Sequence, residues 1–204
     1  MLVRSLIDDS DWTWIRIPKT ASRAYRCVFD FNEGHSHLSY KDSISKYGGT
    51  GKAFSVVRNP VNRLKSGIIH DVEDFEIWRK GEPFPEWMLD INVLCDLFFE
   101  ALDENCKIKN LNKYNSILHD AGMMAEVLKT QANVINYPEV KIFKYENLSE
   151  FNDWIEKTLG ISTMCLKVTD PSNFAKYNWL DFSNPRFTEL CKYIFKEDYE
   201  VYGY

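Results

Sequence analysis

Apolar and polar positions alternate most regularly at 12–17, where aromatic and β-branched residues set a period of two and predict a strand. Pro18 ends that run, and Lys19-Thr20-Ala21-Ser22 lead into a helix-compatible stretch reaching about Phe31. Polar residues at 32–36 interrupt the pattern, and 40–47 predicts a short helix closed by Gly48-Gly49. Ala53-Phe54-Ser55-Val56-Val57 predicts a second strand, apolar almost throughout, as a strand covered on both faces must be. Asn59-Pro60 then offers an N-cap with proline in the first helical turn, and Leu64, Ile68 and Val72 recur at helical spacing. Pro83 and Pro85 punctuate before a helix predicted at 87–102, and 116–129 is also helical in character. A third strand is predicted at 140–145. Asn147 and Glu150 follow at capping-box spacing, before a helix that Gly160 terminates, and a final helix covers 185–195.

Strands that alternate with helices predict an α/β fold: a single three-layer domain over 1–204, with a mainly parallel central sheet and helices on both sides. In such sheets ligands sit beyond the carboxyl ends of the strands, so the residues after each strand are where chemistry is expected.

Composition narrows the field. The 204 residues are 45% hydrophobic and 15% aromatic, enough for a substantial core, which excludes a disordered chain, a collagen-like chain and a small disulfide scaffold. Twenty-five Lys+Arg against 30 Asp+Glu give a net charge of −5, an argument against non-specific binding to nucleic acid or an anionic membrane. Cys27, Cys95, Cys106, Cys165 and Cys191 are scattered and odd in number, a pattern that suits reduced, mostly buried thiols. No run reaches the roughly 18 apolar residues of a membrane span, and MLVRSLIDDSDW lacks the apolar core of a signal peptide. A cytoplasmic chain is the expectation.

After the first strand, Lys19 sits in a tight turn with Thr20 and Ser22, where backbone N–H groups and one full charge can meet an anion. The G-x-x-x-x-G-K-[ST] spacing of a nucleotide P-loop is absent. Gly48-Gly49-Thr50-Gly51-Lys52 imitates it, but Ala53 follows the lysine and a strand follows the loop, so the loop faces the wrong end of the sheet. After the second strand, Arg58 can present its planar fork to a phosphate, and Ser66 adds a hydroxyl two turns into the next helix. Lys65 reads as the exposed face of that helix, and the same reading is open for Arg63. Taken alone, Lys19 is equally a solvated turn lysine.

Together these residues resemble a known family. Ile17-Pro18-Lys19-Thr20-Ala21-Ser22 resembles the 5′-phosphosulfate loop of sulfotransferases, which transfer a sulfuryl group from 3′-phosphoadenosine 5′-phosphosulfate (PAPS). Val57-Arg58-Asn59-Pro60, Arg63-Leu64 and Ser66-Gly67 resemble their 3′-phosphate site. His35-Ser36-His37-Leu38-Ser39-Tyr40 with Lys46-Tyr47-Gly48 is similar to the matching stretch of uronyl and heparan sulfate 2-O-sulfotransferases. Phe143-Lys144-Tyr145-Glu146-Asn147-Leu148 resembles a strand-to-helix junction of the carbohydrate branch.

The resemblance implies a P-loop-like sulfotransferase fold, in which Pro18, Lys19, Thr20, Ala21, Ser22 and Arg23 hold the donor's 5′ end. Arg58 and Ser66 hold its 3′-phosphate, Lys19 steadies the leaving phosphate, and His37 takes the proton of an acceptor hydroxyl. It implies PAPS as donor, PAP as product and no metal. Arg23 and Ala24 depart from the pattern, standing where further hydroxyl residues are usual. Val127 and Leu128 stand near Gln131, where many carbohydrate sulfotransferases place a histidine. His35 reads as structural, and Glu146 as a carboxylate at a helix start. The acceptor is a hydroxyl on a sugar or small molecule, because an acidic body suits a long polyanionic glycan poorly. Two rivals stay open: a nucleotide kinase on a related fold, and a non-catalytic binder of PAP or another nucleotide.

Overall fold

The computed structural model describes residues 1–29, 38–48, 51–103, 107–118, 122–135, 137–166 and 176–204. In chain order the elements are β1 (Leu2–Arg4), β2 (Asp11–Ile15), α1 (Arg26–Phe29), α2 (Tyr40–Tyr47), β3 (Ala53–Val57), α3 (Pro60–Trp78), α4 (Ile91–Ala101), α5 (Leu111–Leu118), α6 (Gly122–Val127), α7 (Gln131–Ile135), β4 (Val140–Lys144), α8 (Leu148–Trp154), α9 (Pro185–Ile194) and α10 (Lys196–Tyr202). The chain forms two compact units: Met1–Asn59 with Gln131–Thr169, and Pro60–Thr130 with Asp170–Tyr204. Each is described by itself.

The first unit is an α/β domain. Its sheet runs β1-β2-β3-β4; β1 is antiparallel to β2, and β2, β3 and β4 are parallel. Trp14 pairs with Phe54, and Val56 with Phe143. These side chains share one face with Tyr25, from the turn before α1, and with Phe151, Ile155 and Leu159 from the helical stretch 148–159. The Trp14 and Phe54 rings stack 6.1 Å apart, and Phe143 meets Phe151 at 4.9 Å. Each fully buried large apolar side chain stabilises the fold by about 1.5–3 kcal/mol, so this aromatic cluster dominates the unit's packing. On the opposite face Ser55 is buried in β3, and its hydroxyl donates to the Ile15 carbonyl at 2.7 Å.

The second and third predicted strands match β3 and β4 closely, and α2 and α9 fall where the pattern put them. Gly48 and Gly160 adopt the left-handed backbone that ends their helical segments. The first predicted strand stops two residues early, at Ile15, and β1 and α10 have no counterpart in the sequence reading. The predicted helix at 87–102 begins at Ile91, because the Asp90 carboxylate accepts from the Asn92 N–H at 2.7 Å and caps a fresh helix there. The capping box at Asn147 does not form. The Asn147 side chain accepts from the Ser149 hydroxyl and donates to Glu150, so it reaches no backbone N–H of α8.

The second unit is helical. Leu64, Ile68, Ile69 and Val72 on α3 pack with Leu94 and Phe98 on α4 and Phe187 and Leu190 on α9. Gly67 lets α6 approach α3: a Cβ built there would lie 3.0 Å from Val127 Cγ2. Buried Asp71 accepts from the Met123 N–H at 2.8 Å, satisfying a donor in the first turn of α6. Cys95 and Cys191 are buried as expected, whereas Cys27 and Cys165 of the first unit are exposed. No described helix is long and apolar enough to cross a membrane.

Candidate functional site

Parallel pairing puts the carboxyl ends of β2, β3 and β4 at one edge of the sheet, Ile15 beside Ser55 and Val57 beside Lys144. Three loops leave from that edge, carrying Lys19, Arg58 and Tyr145. Arg58 Nη1 donates to the Lys19 carbonyl at 3.1 Å, and the guanidinium lies 4.2 Å from the centre of the Tyr145 ring. The neighbouring Asn59 N–H donates to Glu146 Oε1 at 2.8 Å, which gives Glu146 the structural part expected of it. Two motifs separated by 39 residues thus meet at the end of the sheet where an α/β fold takes its ligands.

The Lys19 loop has an unusual backbone. Lys19 has φ +64° and Ala21 has φ +69°, while Thr20 between them keeps a negative φ. Left-handed backbone costs a residue with a Cβ of the order of 1 kcal/mol, so surrounding contacts must hold it. Thr20 supplies one of them: it is buried, and its hydroxyl donates to the Ile17 carbonyl at 2.8 Å. An alternation of positive and negative φ of this kind occurs in backbone loops that form anion nests. The helix expected directly after Ser22 starts only at Arg26, because turns fill 22–25, and α1 spans four described residues.

Gln131, the first residue of α7, fixes Arg58 from the other side. Its side chain is fully buried; Oε1 accepts from the Arg58 N–H at 2.8 Å and Nε2 donates to the Arg58 carbonyl at 2.9 Å. One amide thereby extends the ladder where β3 has run out of strand partners. Composition and spacing gave no sign of this, because the partner lies 73 residues away. Tyr145 was likewise noticed only as part of a junction motif. Arg16, buried at 6% exposure just after β2, is a cation that the sequence reading passed over inside its first strand.

The remaining expected residues are distributed as follows. Pro18 is buried, Lys19 and Ser22 are half-buried, and Arg23 is exposed. Ser66 belongs to the second unit and is buried on α3 at 2% exposure. Arg63 overturns the exposed-helix reading: it is fully buried, and donates to the Lys129 and Glu126 carbonyls at 3.0 and 3.4 Å, with its guanidinium 6.0 Å from the Phe195 ring. Burial lowers its pKa to about 10, against the opposing charges of Asp198 and Glu126. Arg63 is a clamp within the helical unit rather than part of the cationic loop cluster. His35 and His37 lie outside the described residues. Among the described residues no group of three or more His, Cys, Asp or Glu side chains is arranged to hold a metal ion.

Lys52, from the imitation P-loop, sits at the amino end of β3, 3.7 Å from Asp8 and over the Trp12 ring. No protein-family model matches the chain, and no curated protein or solved structure matches it.

Proposed function

We propose that the chain is a PAPS-dependent sulfotransferase with a P-loop-like fold, whose donor site is built on the Lys19 loop and Arg58. One observation carries the reading. The two segments that resemble the donor-binding motifs adjoin at the carboxyl edge of parallel strands, joined by the hydrogen bond from Arg58 to the Lys19 carbonyl. The residues suit a phosphorylated ligand: two cations, a loop with the φ alternation of an anion nest, and an arginine fork held between an aromatic ring and a carbonyl.

In this reading the sulfur–oxygen bond to the donor's 5′-phosphate breaks as the acceptor oxygen bonds to sulfur. The acceptor proton passes to His37, an imidazole suited to that exchange near neutral pH. Lys19 and the loop N–H groups meet the charge that develops on the leaving phosphate, and such preorganised donors cost no rearrangement during the reaction. Arg58 holds the 3′-phosphate, which distinguishes this donor from ATP. The acceptor is a hydroxyl of a sugar or other small molecule, in keeping with a net charge of −5.

Thermal-shift measurements with PAP, ATP, and ATP with magnesium test the donor. Stabilisation by PAP without metal is expected; a shift seen only with ATP and magnesium would replace this reading with a kinase. Transfer of labelled sulfate from PAPS to a panel of sugars and small alcohols tests the chemistry. Loss of transfer in His37→Ala, with PAP binding kept, is the expected outcome. PAP binding with no transfer to any acceptor would identify a non-catalytic binder.

A further inference from the structure

Four described cysteines form two pairs, and the pairs differ in access. Cys95 and Cys191 are wholly buried in the helical unit, and burial raises both thiols, Cys95 to about 11. Cys27 and Cys165 are exposed and lie in the sheet unit. Cys27 Sγ donates to the Cys165 carbonyl at 3.1 Å across 138 residues of sequence. That contact sets the Cys27 sulfur against the backbone of Cys165, and a disulfide between them requires Cα atoms about 4.4–6.8 Å apart.

Anchored backbone holds this contact on both sides. Cys27 lies on α1 between Tyr25 and Val28, both buried in the aromatic cluster of the sheet face. Cys165 lies in a turn closed by the Leu166 N–H to the Thr163 carbonyl at 3.0 Å, and Leu166 packs against the same cluster. The Glu156 carboxylate accepts from both the N–H and the hydroxyl of Thr163, fixing the start of that turn. Two exposed cysteines on anchored backbone thus lie in contact, an arrangement in which a sulfenic acid can meet a resolving thiol before it is oxidised further.

We propose that Cys27 and Cys165 are an oxidisable pair that a hydroperoxide converts to a disulfide. Cys27 reacts first: its sulfur takes the distal peroxide oxygen to give a sulfenic acid, with release of water or the corresponding alcohol. The Cys165 thiol then attacks that sulfur, its proton leaving with the sulfenic hydroxyl as water, and the S–S bond forms. Two thiols and one peroxide become one disulfide, and the bond ties the turn before 167 to the helix that follows the Lys19 loop. Nothing in this step depends on sulfuryl transfer.

The test uses the full chain, reduced and then treated with one equivalent of hydrogen peroxide. The titratable thiols should fall by two of the five, and non-reducing peptide mass spectrometry should find Cys27 joined to Cys165. In Cys165→Ser, dimedone should label Cys27 as a trapped sulfenic acid, and Cys27→Ser should form no intramolecular disulfide. An unchanged thiol count, a disulfide to Cys95, Cys106 or Cys191, or disulfide-linked dimers in place of the internal bond would overturn the proposal. The wild-type mapping alone decides it if either serine variant folds poorly.

Discussion

Arg58 and Lys19 are joined by a hydrogen bond from guanidinium to carbonyl, 3.1 Å long, although each ends a different strand. The bond uses the carbonyl of a residue in left-handed backbone, so it helps hold that backbone conformation. Arg58 is thus a brace for the loop and, under the proposed function, a charge for the donor. Arg58→Ala should raise the dissociation constant of PAP by tenfold or more, since a hydrogen bond to a charged group contributes about 1.5–3 kcal/mol. Arg58→Lys keeps the charge and loses the fork, and should recover only part of the affinity. Calorimetric titration of PAP measures both; unaltered binding in Arg58→Ala would remove this edge of the sheet from consideration as the donor site.

Gln131 supports a prediction that does not depend on any ligand. Replacing it with leucine keeps the side-chain volume but leaves the Arg58 N–H and carbonyl without their side-chain partner. A buried group left unsatisfied costs about 1–3 kcal/mol, so Gln131→Leu should lose about 2–5 kcal/mol in urea unfolding. Gln131→Glu retains the acceptor and loses the donor, and should also be destabilised. A stability change under 0.5 kcal/mol for leucine would mean that water or another group takes over both bonds.

Local signals in the chain were reliable where the deciding contacts are local. The β3 run and the glycines after α2 and the 155–159 turn could be read directly, because buried parallel strands and left-handed caps constrain the residues that make them. Lys19 and Arg58 were legible for a similar reason, each standing in the loop that follows a strand. What could not be read was set at long range. Arg63 looks like an exposed helical cation in its own segment; only the carbonyls at 126 and 129 and the charge of Asp198 explain its burial. Gln131 stands in a short polar stretch whose purpose depends on a strand end 73 residues earlier. The break at Asp90 was local but missed, because the apolar run on either side hid a capping aspartate.

Arg63 should be hard to replace. Removing one member of a buried charge group costs about 3–5 kcal/mol, because the remaining charge is left uncompensated. Arg63→Ala should therefore strongly destabilise the chain, and Asp198→Asn introduced into that variant should restore part of the loss. The restoration separates an electrostatic role from the loss of packing against Phe195. Equal unfolding midpoints for Arg63→Ala and Arg63→Ala/Asp198→Asn would show that packing and the two carbonyls account for the whole effect.

Gly67 belongs to a motif that resembles a phosphate site, yet its surroundings give it a packing role. An alanine Cβ would stand 3.0 Å from Val127 Cγ2, tight enough that Val127 must give way by a few tenths of an ångström. Gly67→Ala should cost about 1–3 kcal/mol through overpacking. Val127→Ala vacates the contact, so the double variant should be more stable than the sum of the two single effects allows. Strict additivity in denaturant unfolding would place the importance of Gly67 somewhere other than the α3–α6 contact.

Asp8 offers a test by pH. Its carboxyl is held at about 2, below the ordinary 3.8, chiefly by the Ser10 hydroxyl, then by the Ser5 hydroxyl and the Ser10 N–H. Ser10 in turn accepts from the Trp12 indole at 3.2 Å, so the carboxylate organises the turn that joins β1 to β2. A carboxyl whose folded pKa is depressed releases its proton more readily in the folded state than in the unfolded one. Its contribution to stability is then complete above about pH 4 and disappears as pH falls through 2. Asp8→Asn should be less stable than the parent chain at pH 7, and the two unfolding midpoints should converge between pH 4 and pH 2. A gap that persists unchanged at pH 2 would assign the loss to the amide's altered hydrogen bonding and leave the charge no part in it.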